Sequence, residues 1–416
     1  MGRDRGTEAR SGKRCRRTIA DMSGPLGQGD DVLMRRAIAL GMKGRGWVEP
    51  NPMVGCVIAK DGRVIGEGYH ERYGGPHAEP KAMGACVESP QGATAYVTLE
   101  PCCHTDKQTP PCVPQLIEAK LARVVIGAID PNPRVAGRGT EQLRSAGLTV
   151  DILNLPAARQ LIAPFVARIT HHRPYVTLKW AQSADGKVAG PGGRRVQISG
   201  PLSTRAIHEL RARCDAIMVG VNTVLCDDPM LTVRLAEPRR PLIRVVLDAT
   251  LRTPAQSRLV RTASEQKVII YTSHATLACQ GGARGQLEAA GVELRPAPEP
   301  QPGRLSLSHV LHDLGRLTLT HLLVEPGPTL AKSFLETGLW DRAWAIRSAS
   351  RIDSPTAPEA PAIAIEPVAH AMLGQDRLVE YLNPLSEVMF NPDPSADFVM
   401  AASGSSPPHL PSYRSE

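Results

Sequence analysis

His77, Glu79, Cys102 and Cys112 are the residues of this chain whose types and spacing point to chemistry. They lie in two stretches, Pro76-His77-Ala78-Glu79 and Glu100-Pro101-Cys102-Cys103-His104, the second running on to Thr109-Pro110-Pro111-Cys112. One imidazole and two thiolates suit Zn²⁺, and three protein ligands leave the fourth tetrahedral position open to water. A metal so placed lowers the pKa of its water toward neutrality and makes hydroxide available as a nucleophile. Glu79 is too close to His77 in sequence to be needed as a ligand, and it can carry a proton from water to a leaving amine. A His-x-Glu followed by Pro-Cys and a further Cys is the pattern of zinc-dependent hydrolytic deamination of a nucleobase.

Each part also has a plainer reading. His77 and Glu79 alone describe an ordinary helix start. Cys102, Cys103 and Cys112 alone describe buried thiols, or a structural zinc site with His104 as its fourth ligand. Both stretches together, at a separation one domain can span, favour catalysis.

The flanking sequence supplies elements that could hold such a site. Val32, Met34, Ala37, Ile38 and Leu40 pattern a helix over Asp31–Met42. Pro50 to Ala59 reads as a rigid turn feeding a buried strand, and Asp61-Gly62 turns it back into Val64–Gly68. His77 opens a helix. The strand Ala95–Leu99 delivers Glu100-Pro101-Cys102, a helix begins at Cys112, and a strand follows over Arg123–Ala128. Strands alternating with helices give an α/β layer, closed by Thr140–Val150. Ala157–His172 reads as one helical linker. A second α/β run begins with the strand Tyr175–Trp180, with further strands at Ala216–Val219, Ile243–Leu247, Val268–Tyr271 and Leu322–Val324 and helices at Ser203–Arg213 and Pro328–Thr337.

At 416 residues the chain calls for two domains. Hydrophobic content of 42% supports real cores, while aromatic content of 4% is low. No apolar run reaches the roughly 18 residues of a membrane span. The net charge of +8 suits phosphorylated substrates or nucleic acid. Much of it sits in Arg3, Arg5, Arg10, Lys13, Arg14, Arg16 and Arg17, a tail without the apolar segment of a secretory signal. Nine cysteines, an odd number, are scattered (Cys15, Cys56, Cys86, Cys214, Cys226 and Cys279 beside the three above), which argues for a reducing, cytoplasmic location.

A cytidine or tRNA-adenosine deaminase separates its two Cys by two residues; here a longer insert ends in Thr109-Pro110-Pro111-Cys112. With Asn51-Pro52-Met53-Val54-Gly55-Cys56-Val57, Ala95-Tyr96-Val97-Thr98-Leu99-Glu100-Pro101-Cys102 and Asp130-Pro131-Asn132-Pro133, the chain resembles the bifunctional deaminase/reductase family of riboflavin biosynthesis from about Asp30 to about Trp340. The resemblance implies His77, Cys102 and Cys112 as zinc ligands, Glu79 as proton shuttle and Asn51 as a contact to the pyrimidine. It implies no ligand role for Cys103. The loop from Cys103 to Thr109, through Asp106-Lys107-Gln108, is one residue longer than the common family form.

The second half lacks a Gly-x-Gly-x-x-Gly after its first strand, so a standard Rossmann site is not expected. It offers Lys179 at a strand end, the turn Ser183-Ala184-Asp185-Gly186, and Arg194, Arg195, Arg211, Arg213 and Arg234 for phosphate. Val324 to Leu330 reads as strand, turn and helix start, whose backbone N–H groups suit a phosphate. Alone, an Arg-rich helix is as well a solvated face. Leu178–Lys187, Asp215–Gly220, Thr223–Arg234 and Glu325-Pro326-Gly327-Pro328 resemble the family's reductase half. That half is similar in fold to dihydrofolate reductase and uses NADPH. The implied substrate contacts are Arg195, Arg211, Leu231, Arg234 and Glu325, with Lys179 beside the reacting ribose. The implied cofactor contacts are Ala181, Gln197, Thr223, Asp227, Gly327, Pro328, Thr329, Leu330, Ala331, Lys332 and Ser333. The family's closing strands are not visible in Trp344–Ile363, and Asp376–Tyr381 reads as a last strand, so an altered reductase end is expected.

The expected organisation is a basic, disordered tail over 1–29, a cytidine deaminase-like three-layer α/β/α domain over 30–152, a linker over 153–173, a dihydrofolate reductase-like α/β domain over 174–385, and a disordered tail over 386–416. The expected function is zinc-dependent deamination of 2,5-diamino-6-ribosylamino-4(3H)-pyrimidinone 5′-phosphate, then reduction of its ribosyl chain with NADPH. The expected partner is that small phosphorylated pyrimidine, with no nucleic acid and no membrane; a homo-oligomer stays open. Three rivals stand beside this reading: a deaminase with an impaired reductase half, a nucleic-acid base deaminase, and a non-catalytic zinc module.

Overall fold

A computed structural model describes residues 29–105, 109–279 and 281–386. The expected tails over 1–29 and 386–416, apart from Gly29 and Ser386, lie outside the described residues, as does the insert Asp106-Lys107-Gln108.

The first half comprises α1 (Gly29–Gly41), β1 (Gly55–Lys60), β2 (Arg63–Tyr69), α2 (Ala78–Gly84), β3 (Thr94–Val97), α3 (Cys112–Glu118), β4 (Arg123–Ile126), α4 (Arg138–Ser145) and β5 (Thr149–Ile152). The sheet order is β2-β1-β3-β4-β5. The β1–β2 and β1–β3 pairs are antiparallel, and β3, β4 and β5 run parallel. Asp61 and Gly62 both have positive φ (46° and 78°), the type I′ geometry that an Asp-Gly hairpin favours. Side chains alternate across the pleat. Val57, Ala59, Tyr96 and Val125 face Leu33, Met34 and Ala37 of α1. Cys56, Ile58, Ala95, Val97, Val124 and Ile126 face α2, α3 and α4. The result is three layers, α/β/α.

Close backbone approach sets α1 on this sheet. A Cβ at Gly55 would lie 1.9 Å from the Ala37 carbonyl oxygen, so only glycine lets α1 settle over β1. The segment that carries Asn51 runs directly into Gly55.

The linker forms α5 (Pro156–Leu161) and α6 (Ala163–His171) rather than one helix. Ile162 leaves helical geometry at φ −98°, ψ 6°, with a proline at the start of α6. Leu161 packs with Val48 and Met53 of the first half, whereas Ala163 and Ala167 pack on Tyr175 of the second. The connection is thus divided between two cores.

The second half comprises β6 (Tyr175–Gln182), α7 (Pro201–Arg211), β7 (Ala216–Gly220), α8 (Val221–Asp227), β8 (Ile243–Leu247), α9 (Arg258–Arg261), β9 (Val268–Ser273), α10 (His274–Ala278), α11 (Gly282–Ala289), β10 (Glu293–Ala297), α12 (Leu307–Arg316), β11 (His321–Val324), α13 (Pro328–Thr337), β12 (Arg342–Arg347), β13 (Ala369–Leu373) and β14 (Asp376–Leu382). They build a nine-stranded sheet in the order β10-β9-β8-β7-β11-β6-β12-β14-β13. The strands from β10 to β12 are parallel; β14 and β13 are added antiparallel. Its faces are covered by two separate cores. One joins Ala206, Ile207 and Leu210 of α7 to Val246 and Ile270. The other joins Val310, Leu314 and Phe334 to Val176, Leu178 and Leu322.

Two expectations need correction. Lys179 lies inside β6, which continues to Gln182, rather than at a strand end. The closing strands are present: β12 runs beside β6, with Trp344 opposite Lys179, and Gly374 (φ 70°) turns β13 into β14. Flanking arginines hide β12 from a hydrophobic pattern. Arg342 is buried against Glu380 of β14 at 3.0 Å, and Arg347 donates to the Tyr381 hydroxyl at 3.0 Å.

The halves meet through Arg239 and Arg240. The Arg240 guanidinium lies 2.7 Å from Asp215 Oδ1 in the second half and 3.6 Å from Glu49 Oε2 in the first. Arg239 stacks over the Trp47 ring at 5.8 Å and donates to the Arg45 carbonyl.

Gly55→Ala forces α1 away from the sheet. The expected cost is about 3 kcal/mol, at the upper end of overpacking penalties, read as the shift in a denaturant or thermal unfolding midpoint. A wild-type midpoint would contradict the role given to this contact.

Candidate active site

His77 is the N-cap of α2, Cys112 is the first residue of α3, and Cys102 lies in the loop after β3. The topology brings them together because β1 and β3 are neighbours and α2 and α3 lie on one face of them. His77 Nδ1 is 3.5 Å from Cys102 Sγ and 3.4 Å from Cys112 Sγ, and the three ligand atoms lie within 4.8 Å of one another. Zn–S bonds of about 2.3 Å and Zn–N bonds of about 2.0 Å at a tetrahedral angle give N···S edges of about 3.5 Å. The spacing therefore fits zinc. The backbone N–H of Cys112 donates to Cys102 Sγ at 3.4 Å, which favours the thiolate.

With Nδ1 turned to the two sulfurs, the His77 proton belongs on Nε2, and this atom lies 3.1 Å from Thr109 Oγ1. Such an outer partner fixes the ring's tautomer and orientation. Read from sequence, Thr109 served only as a family mark; here it has a physical role. Cys103 and His104 are not in the ligand group.

Glu79 is buried in the first turn of α2, and its Oε2 has no hydrogen-bond partner among the described residues. Burial pushes its carboxyl pKa up, the Cys102 sulfur adds to this, and His77 only partly offsets it. A carboxylate so raised, with an unsatisfied oxygen beside three metal donors, suits proton exchange with a nucleophile bound there.

Asn51 is held by His70, which is buried. His70 Nδ1 is 3.0 Å from the Pro76 carbonyl and must donate, so Nε2 accepts from Asn51 Nδ2 at 3.2 Å. His70 also stacks edge-on against His77, with centroids 5.3 Å apart. Glu100 fastens the cysteine loop from behind. Its carboxylate is buried and accepts from the backbone N–H groups of Gly137 (2.9 Å) and Thr140 (3.0 Å) at the start of α4. Neither His70 nor Glu100 was singled out by its residue type alone, since each needs the fold to bring its partners.

The second site lies at the carboxyl ends of adjacent parallel strands, where ligands bind in open α/β sheets. Arg211, at the end of α7, donates from Nε and Nη2 to both oxygens of Glu325 after β11, at 2.8 and 2.9 Å. Its Nη1 donates to the Thr232 carbonyl at 3.1 Å. Lys179 lies 4.0 Å from Glu325. Burial alone would raise the Glu325 pKa, but Arg211 and Lys179 outweigh it and hold the carboxyl at about 2. Burial lowers the Lys179 pKa; Glu325 opposes this and Arg211 adds to it.

The other expected contacts separate into groups. Arg234 is exposed and joined to Arg211 through Thr232. Leu231 packs its side chain into the core and has a positive φ of 53°. Arg195 is exposed and acts electrostatically on Asp227. Gln197 is exposed and donates to the Ser199 carbonyl. Ala181 lies near the end of β6. A Cβ on Gly327, the N-cap of α13, would lie 3.9 Å from Thr223 Oγ1, so the starts of α8 and α13 face each other. Pro328, Thr329 and Leu330 form the first turn of α13, whose N–H groups suit a dinucleotide phosphate. Ala331 faces the core, the Ser333 hydroxyl donates back to the Thr329 carbonyl, and Lys332 pairs with Glu336 on the exposed face.

Fold and sites together define a chain that joins a zinc deaminase to a nicotinamide-dependent reductase. The cytidine and deoxycytidylate deaminase zinc-binding region matches residues 28–128, and the RibD C-terminal domain matches residues 174–346. The chain is 44% identical over 310 residues to riboflavin biosynthesis protein RibD of Actinobacillus pleuropneumoniae, covering 74% of this chain and 81% of that protein. It is 40% identical over 314 residues to RibD of Aquifex aeolicus, covering 75% and 85%. Among solved structures, Acinetobacter baumannii RibD (form 2) superposes with a TM-score of 0.71 at 32% identity, covering 85% of this chain and 98% of that one. The diaminohydroxyphosphoribosylaminopyrimidine deaminase/5-amino-6-(5-phosphoribosylamino)uracil reductase of Thermotoga maritima gives 0.71 at 33% identity, covering 84% and 97%. The chain belongs to the RibD family: it is a bifunctional, zinc- and NADPH-dependent deaminase/reductase of riboflavin biosynthesis.

Arg211→Met leaves the buried Glu325 charge without its bidentate partner. The expected loss is about 3–5 kcal/mol of stability at neutral pH. Glu325 is depressed in the wild type, so its stabilising contribution is present above the ordinary carboxylate range and lost as pH falls toward 2. In the variant, burial favours the neutral acid. The gap between the two proteins therefore narrows as pH falls through 4.5, a trend measurable by denaturant unfolding at several pH values.

Proposed function

We propose that His77, Cys102 and Cys112 hold the catalytic zinc, that Glu79 moves the proton in deamination, and that the Arg211–Glu325 pair anchors the substrate end of the reductase site. The spacing of the three donors around an unsatisfied, buried Glu79 oxygen is the observation that carries this reading. Bound zinc supplies the Lewis acid that makes water acidic enough to attack at neutral pH. Glu79 takes a proton from the attacking water and passes it to the departing amine, releasing ammonia from the 2-position of 2,5-diamino-6-ribosylamino-4(3H)-pyrimidinone 5′-phosphate. His70 engages the Asn51 amide nitrogen and leaves the amide oxygen to accept a hydrogen bond from the pyrimidine.

In the second half NADPH supplies the hydride that converts ribosyl to ribityl. Arg211 is already committed to Glu325 and Thr232, so pairing with the 5′-phosphate falls to the exposed Arg234 and Arg195. Glu325 and Lys179 present a fixed charge pair to the ribose. Gly327 to Leu330 and Thr223 receive the cofactor, with Ala181, Gln197 and Asp227 at its margin. The reading assigns residues 30–152 to the deaminase and 174–385 to the reductase, joined by 153–173. It makes the substrate a free phosphorylated pyrimidine in the cytoplasm rather than nucleic acid; among the described residues no helix is long and apolar enough to cross a membrane.

The test is turnover of the pyrimidine phosphate with and without NADPH, following ammonia and NADPH separately. Glu79→Gln is expected to lower kcat for ammonia release by about 10²–10⁴-fold while zinc content stays at wild-type level; unchanged release would remove Glu79 from the mechanism. Cys112→Ser is expected to lose zinc, read by metal analysis, and deamination with it, while reduction of the already deaminated pyrimidine persists.

A further inference from the structure

His208 is not among the implied substrate or cofactor contacts, yet it sits between residues that are. It lies on α7 three residues before Arg211, hence on the same helix face, and it is buried. Its Nδ1 accepts the backbone N–H of Arg234 at 3.1 Å.

The segment it meets, from Asp228 to Arg234, has no helix or strand of its own. Asp228 and Leu231 adopt positive φ, 40° and 53°, an uncommon conformation for residues with side chains. Other parts of the half hold it at alternate residues. Asp228 Oδ1 accepts the Arg258 N–H at 2.8 Å. The Met230 carbonyl accepts from the buried Arg244 at 3.3 Å. The Thr232 carbonyl accepts from Arg211, and the Arg234 N–H goes to His208. A strained segment held at four points keeps its path only while each holds. His208 is the point at the residue whose side chain is assigned to the phosphate.

We propose that His208 is a positioning residue for the reductase: by accepting the Arg234 N–H it sets the Arg234 guanidinium relative to the Arg211–Glu325 pair and so tunes capture of the substrate's 5′-phosphate. The proposal rests on the assignment of Arg234 to that phosphate made above. The ring must be neutral with its proton on Nε2, because an imidazolium would turn an N–H against an N–H. The surroundings enforce this. Burial lowers the His208 pKa; Arg211 on the same helix, Arg234 on the segment and Lys179 on β6 lower it further against the opposing Glu325, leaving it at about 4. The ring accordingly stays an acceptor throughout the neutral range.

The test compares His208→Phe, which keeps ring volume without an acceptor, with His208→Asn, whose Oδ1 can take the place of Nδ1, and with Arg234→Ala. In the full-length, zinc-loaded protein, His208→Phe is expected to raise reductase KM for the pyrimidine phosphate about tenfold. Its kcat, its KM for NADPH and its ammonia release are expected to stay within about twofold. His208→Asn is expected to recover most of the KM, and His208→Phe combined with Arg234→Ala to be no worse than Arg234→Ala alone. An unchanged KM in His208→Phe, a kcat-only effect, or additive losses in the double variant would overturn the proposal. If His208→Phe also loses NADPH binding, it reports folding, and His208→Asn decides: a KM near wild type supports the role and a tenfold rise overturns it. If Arg234→Ala leaves KM unchanged, the phosphate assignment itself has failed, which separates that failure from one confined to His208.

Discussion

A carboxylate taken out of water must find partners or give up its charge, and both sites of this protein are arranged around that constraint, with opposite solutions. Glu79 is buried with one oxygen unsatisfied among the described residues, and burial pushes its acid above the ordinary carboxylate value. Glu325 is buried against a bidentate guanidinium and a nearby ammonium, so it stays charged far below neutrality. The first arrangement suits a group that must change protonation during each turnover. The second suits one that must never change.

Each solution depends on where the sheet ends. The cysteine loop leaves β3 and is fastened by Glu100 to the start of α4, which keeps Cys102 within reach of His77 and Cys112. Arg211 and Glu325 arrive from α7 and from the end of β11, and the parallel pairing of β11 with both β6 and β7 brings Lys179 beside them. A helix start beyond a parallel strand then offers N–H groups for a phosphate, at α13. Neither half needs a glycine-rich dinucleotide fingerprint.

Much of this was legible in the sequence, because it rests on local rules. The His-x-Glu and Pro-Cys pattern carried the metal chemistry, Asp61-Gly62 carried its hairpin, and Pro328 after Gly327 marked the start of α13 to the residue. What was not legible depends on partners distant in sequence. Glu100 needs Gly137 and Thr140, Thr109 needs His77, and His208 needs Arg234; nothing in their own neighbourhoods announces these pairings. Strand β12 lacks a hydrophobic signature because Arg342 and Arg347 flank it, and the buried Glu380 that accommodates one of them lies across the sheet on β14. A helical pattern carries through Ile162, whereas a proline just beyond it and packing into two cores divide the linker.

The bridge of Arg239 and Arg240 to the segment around Trp47 and Glu49 bears on how such chains can be recombined. That segment leads directly to Asn51, so part of the support of one active site is encoded in the other half of the chain. A transplanted deaminase half would bring Glu49 and Trp47 without the guanidiniums that hold them, while the abandoned reductase half would keep Arg240 on Asp215 with one acid fewer nearby. The two halves are separate in chemistry yet not interchangeable modules. Their inheritance as one polypeptide preserves a seam that neither half could maintain after exchange with a partner lacking the matching residues.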